Sequence, residues 1–243
     1  MFLNLITFLF IKKRLDQVLQ YKYTINVIQC NTFEQSGSAS KAQKLYGINL
    51  RVSQAVYPIL NLFEIFLRNA VDRQIVNYFD DADWIINQQN GFMNHPDLAR
   101  SGYFIKGNVQ RAANVILKKS STVTAGKIIA EQSFGFWSSL FEPHHFRLIG
   151  GAPLQCFVNK PANMNRRSIA LKLDAVRNFR NRVYHNEPIC FNGTAIDFSA
   201  TYTITYTIRQ HIQDMLNWID PELNIFIIQF DQVEQYIHEL DTL

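Results

Sequence analysis

An all-α helical bundle is the fold class this sequence predicts, and three observations carry it. Apolar residues recur at spacings of three and four over long stretches, as they do along one face of a helix. Prolines and turn clusters punctuate those stretches at Pro58, Pro188 and Pro221. The one alternating, β-branched run, residues 201–208, continues without a break into a helical stretch, so tertiary context favours a single helix over 197–219. With 47% hydrophobic and 13% aromatic residues in a chain of 243, a packed core is expected, in one large domain or one domain with an appendage.

In chain order, residues 1–11 (MFLNLITFLFI) form an apolar run followed by Lys12, Lys13 and Arg14. A run of this length is too short to span a bilayer, which takes ~20 residues as a helix. Its charges follow the run where a secretory signal has them before it. It reads as an arm that packs on the body or on a second subunit. Residues 31–40 (NTFEQSGSAS) are linker-like, so 1–40 is assigned as arm and linker and 41–243 as the helical domain. Residues 41–49 are helical in pattern. Pro58 reads as a first-turn signal with Tyr57 pushed off helical angles. From Pro58 to Phe79, Leu60, Phe63, Leu67, Ala70 and Val71 make a core stripe, and Asn61, Glu64, Arg68 and Asp72 a polar one.

Residues 80–101 are broken by Asp80-Asp81, Asn90-Gly91, His95-Pro96 and Ser101-Gly102 and read as loop. A short helix is expected over 107–119 with Asn108 as its cap, and another over 124–140, interrupted at 134–137. Residues 150–165 are a connection. The next helix starts near Asn165 or Ser168, carries Ile169, Leu173, Val176, Phe179 and Val183 inward, and ends by Glu187 because Pro188 follows. Pro221 opens a last helix with Phe226, Phe230, Val233 and Ile237 on one face.

Charge is concentrated. Residues 166–182 hold six basic side chains (Arg166, Arg167, Lys172, Arg177, Arg180, Arg182) against Asp174, a net +5, where the whole chain carries +4. The total is too mild to name a partner; the clustering is the informative part. Cys30, Cys156 and Cys190 are scattered, which fits a reducing compartment and argues against a disulfide framework or a zinc site. His144 and His145 cannot face one ligand together on a helix, and His95, His211 and His238 are isolated, so no metal site is expected. Phe134, Phe136 and Trp137 are expected in the core, with Gly135 allowing close packing.

The same basic helix holds Arg180 and His185. A histidine titrates near neutral pH, and an arginine is a permanent cation shaped for phosphate. Five helical residues turn through about 500°, so the two side chains point roughly 140° apart, and a second copy of the helix would bring arginines and histidines into one cleft. Such a site suits metal-independent RNA cleavage. The imidazole takes the 2′-hydroxyl proton, the guanidinium holds the phosphate, Asn181 orients, and Tyr184 stacks or donates. The bland alternative is that these cations simply suit the C-terminal half of a helix.

The phrase at residues 177–189, RNFRNRVYHNEPI, resembles the signature helix of the Abi-like (abortive-infection-like) proteins of the HEPN superfamily. Tyr57-Pro58 followed by FEIFLRNA at 63–70 is similar to that family's first long helix, and EQSFGFW at 131–137 to its S-F-G-F-W segment. Trp218 and Pro221 also match its tryptophan and helix break. The resemblance covers roughly residues 41–225 and leaves 1–35 unmatched. It implies a helical HEPN fold, a homodimer, and a ribonuclease site in which Arg180 and His185 are catalytic and Asn181 is the polar residue beside them. Arg177, Arg182, Tyr184, Glu64, Arg68 and Asn69 are then expected to contact RNA or support the site. The family often has a second histidine where this chain has Asn186, which leaves that residue's contribution open. The resemblance thus implies a cytoplasmic enzyme of phage-defence or toxin type, with no cofactor, no metal and no membrane, acting on RNA, tRNA included. An antitoxin or regulatory partner, and a non-catalytic RNA-binding or dimerisation module, stay open as alternatives.

Overall fold

The computed structural model describes residues 39–119, 122–185, 187, 189, 191–192, 195–196 and 198–238. Residues 1–38 of the expected arm and linker (1–40), with Cys30, and Asn186, Pro188 and Cys190 lie outside them; residues 39–40, expected as linker, already belong to the first helix. The architecture is all-α. One helix of 41 residues, α1 (Ala39–Phe79), runs through the centre. Its side chains Ile48, Val52, Val56, Ile59, Phe63, Leu67, Val71 and Ile75 are buried at spacings of three and four, the pattern of a helix covered along its length. Around it pack α5 (Phe134–Ser139), α7 (Arg166–Tyr184), α8 (Phe198–Ile219), α9 (Pro221–Ile228), α10 (Val233–Ile237) and the 3-10 turn Ala152–Cys156. No helix among the described residues is long and apolar enough to cross a membrane.

Several sequence expectations need correcting. Pro58 does not start a helix; it sits inside α1, and Tyr57 is helical. A proline inside a helix costs about 3 kcal/mol, because it removes one N–H and crowds the carbonyl four residues back. Burial of Val52, Ala55, Val56, Ile59 and Leu60 on both sides offsets that cost. Residues 80–101 are not open loop. They form α2 (Trp84–Asn87) and two 3-10 helices (Phe92–Asn94, Pro96–Ser101) that bury Trp84, Ile85, Phe92, Met93 and Leu98. Trp84 Nε1 donates to Asp72 Oδ1 at 2.8 Å, while burial raises the Asp72 carboxyl above its usual range.

Helix α3 begins at Phe104, not 107 (Phe104–Lys119), and Asn108 lies within it, donating to the Phe104 carbonyl at 2.8 Å. The break expected at 134–137 falls earlier. Helix α4 (Ala125–Glu131) is capped by Thr124, and Phe134–Trp137 are the first turns of α5. Phe134, Phe136 and Trp137 are buried as expected, and Phe134 meets Phe63 with ring centroids 5.9 Å apart. Gly135 is not needed for packing, since a Cβ there would meet only Ser133 Oγ at 3.6 Å. Gly150 is needed: its φ is +57°, and a Cβ would lie 2.5 Å from the Tyr78 ring.

Helix α7 matches expectation closely. Asn165 Oδ1 accepts from the Ser168 N–H at 3.1 Å, and Ile169, Leu173, Val176, Phe179 and Val183 are its buried stripe. Residues 191–192 and 195–196 form a minimal antiparallel pair (β1, β2). The run with strand-like alternation is helical, because Ile208, Ile212, Met215 and Leu216 form a buried stripe on α8. The last segment is two helices, α9 and α10. Val233 and Ile237 are buried, but Phe226 and Phe230 are exposed.

Helix α6 (Pro143–Leu148) carries His145, 2% exposed, whose Nδ1 lies 2.8 Å from the Ser139 carbonyl. Burial depresses its pKa to about 4, so the folded protein holds it neutral while the unfolded chain takes up a proton near 6.5. The stabilising effect is complete above pH 6.5, falls progressively as pH drops below it, and is fully lost by about pH 4. Denaturant midpoints should show a loss of about 2 kcal/mol between pH 7 and pH 5 that His145→Gln removes.

Candidate functional site

Helices α1 and α7 cross antiparallel, so positions seven apart on α1 meet positions four apart on α7. Glu64 faces Arg180, with Arg180 Nη2 3.3 Å from Glu64 Oε2. Tyr57 faces Tyr184, the rings stacked at 4.8 Å between centroids and 23° between planes. The guanidinium of Arg180 lies 3.9 Å from the Tyr184 ring centroid. Tyr184 is therefore sandwiched in a column of guanidinium, phenol and phenol. The Arg180 and Glu64 side chains are 21% and 15% exposed, so each charge depends on the other for compensation. Arg180 Nη1 reaches Asn181 Oδ1 at 3.4 Å, and Arg180 Nε is buried without a hydrogen-bond partner. Burial, with Tyr57 alongside, pushes the Tyr184 phenol up to about 12, so it stays protonated at neutral pH.

His185 is the C-cap of α7 and is exposed. Its backbone N–H bonds the Asn181 carbonyl at 2.9 Å, and the Glu187 N–H returns to the Arg182 carbonyl at 2.8 Å, which closes the helix end. Past the motif, the Ile189 N–H donates to Asn49 Oδ1 at 2.8 Å. Asn49 is 4% exposed on α1 and anchors the segment leaving the histidine. Sequence reasoning missed it; the available signal was a lone amide on an otherwise apolar face beside Ile48 and Val52. Tyr57 was missed as Tyr184's partner because the pairing requires knowing how two helices cross.

The structure thus brings together Arg180, Asn181, Tyr184 and Glu64. Within one chain it does not join Arg180 to His185: no hydrogen bond links them, as their spacing on the helix implies. Arg68 bonds its neighbour Asn69 at 3.4 Å, and Asn69 lines a different cleft with Phe66 and Arg73. The basic cluster is also less open than a charge count implies. Arg166 donates to the Phe141 carbonyl at 2.7 Å, and Arg177 pairs with Asp174 at 2.8 Å. Lys172 lies 3.2 Å from Asp214 and 2.9 Å from His211 Nδ1, and burial with that neighbouring cation lowers the His211 pKa. Arg167 is exposed and Arg182 half-buried. Among the described residues no three His, Cys, Asp or Glu side chains gather as metal ligands would.

No family model, no curated protein and no solved structure matches this chain.

Proposed function

We propose that this chain is a metal-independent endoribonuclease of the Abi-like HEPN kind, acting as a homodimer in bacterial defence. The observation that carries the reading is an arginine fixed on three sides, by Glu64, Tyr184 and Asn181, five residues before an exposed histidine that ends the same helix. A guanidinium held in this way is preorganised for a phosphate, and preorganised cations are worth most where charge builds in a transition state. Two copies of α7 related by a two-fold axis would place the histidine of one chain beside the arginine of the other.

In the proposed reaction His185 accepts the 2′-hydroxyl proton and O2′ attacks the adjacent phosphorus. Arg180 holds the non-bridging oxygens. The bond to the 5′-oxygen breaks as the imidazolium returns a proton to it, leaving a 2′,3′-cyclic phosphate and a 5′-hydroxyl. Glu64, Asn181 and Tyr184 orient the arginine. A second reading, a non-catalytic RNA-binding or dimerisation module, draws on the same ion pair, because Glu64 neutralises the arginine as a structural partner would.

Incubation of the purified full chain with total RNA or tRNA in excess EDTA decides between them. Cyclic-phosphate ends are the expected product. RNA affinity that falls with salt and never yields product supports the module instead.

A further inference from the structure

A cavity of about 240 Å³ opens beside the Tyr184 column, lined by Leu50, Ser53, Gln54, Tyr57 and Pro58 of α1 and Val183 of α7. We infer that it is a base-recognition pocket for one unpaired nucleobase with an exocyclic amino group, such as adenine, next to the cleaved phosphate. Its size is below the ~300–1,000 Å³ of drug-sized sites, which suits a single flat ring system and not a whole nucleotide.

Its walls supply what a base needs. Leu50, Pro58 and Val183 are apolar. Tyr57, 47% exposed, presents an aromatic ring whose stacked partner Tyr184 already holds it in place. Stacking on an aromatic ring is a recurrent way proteins hold single-stranded bases. The polar groups are specific. Ser53 is 7% exposed, yet its Oγ has no hydrogen-bond partner. Gln54 adds a side-chain amide with both donor and acceptor, the pairing that reads the amino and ring nitrogens of adenine.

Through the Gln54 amide the pocket favours a base that carries an exocyclic amine, which uracil lacks.

The inference rests on the ribonuclease reading for its substrate but is tested by binding. In full-length protein carrying His185→Ala, so that cleavage does not intervene, titrate hexa-adenylate and an abasic hexamer of equal charge. The base-bearing strand is expected to bind at least about five-fold tighter, the lower end of one stacked base. Tyr57→Ala in that background should erase the difference, and Tyr57→Phe should keep it, with circular dichroism confirming helix content in each. Equal affinity for the two hexamers, or a preference that survives Tyr57→Ala, overturns the pocket. Either result is independent of whether wild-type protein cleaves RNA, so failure of the pocket and failure of the ribonuclease reading are distinguishable.

Discussion

His185→Ala is expected to lower RNA cleavage by roughly 100- to 10,000-fold, the range that a positioned general acid–base group contributes. The same variant should leave stability within about 0.5 kcal/mol of wild type, as exposed substitutions away from packing do. His185 is exposed, and its bond into the helix end is made by backbone N–H to the Asn181 carbonyl at 2.9 Å, which alanine keeps. The fold should therefore persist while product formation stops. Single-turnover cleavage in EDTA, measured beside a denaturant midpoint, reads both quantities. Retained cleavage by His185→Ala removes the histidine from the proposed mechanism.

How much of this was legible in the sequence differs by element. Helix α7 was readable almost residue by residue, because its five core positions keep a clean period and Asn165 is a strong cap. Those are local signals. Pro58 was misplaced by the same local reasoning: proline rules describe the cost of an interior proline, while the burial of Val52, Ala55, Val56, Ile59 and Leu60 that offsets it comes from tertiary packing. The strand-like run in α8 was decided by the same kind of context. At the site, Arg180, Asn181 and Tyr184 could be nominated from one segment. Their partners could not, since Glu64 lies 116 residues away and Tyr57 still further. Charge counting failed in the same way. Summing residues 166–182 reports the cations of α7, but not the Asp214 of α8 or the Glu64 of α1 that lie against them.

Arg180→Ala is expected to lower cleavage by roughly 100- to 1,000-fold, the cost of losing a preorganised donor to a developing charge. Unlike the histidine variant, it should also destabilise the fold. Glu64, 15% exposed, is left without its cation, and Tyr184 loses the group over its ring. The loss should fall below the ~3–5 kcal/mol of fully buried pairs, because water still reaches about a fifth of the arginine. Arg180→Lys keeps the charge but not the planar fork that reaches Glu64 and lies over Tyr184 together, so stability should recover further than cleavage. The decisive variant combines Arg180→Ala with Glu64→Gln. Removing both charges relieves the unpaired carboxylate, so denaturant stability should rise above that of Arg180→Ala alone. Cleavage should stay low, because no cation remains to hold the phosphate. If cleavage returned together with stability, Arg180 would be a structural residue and the phosphate would have to be held by another cation of α7.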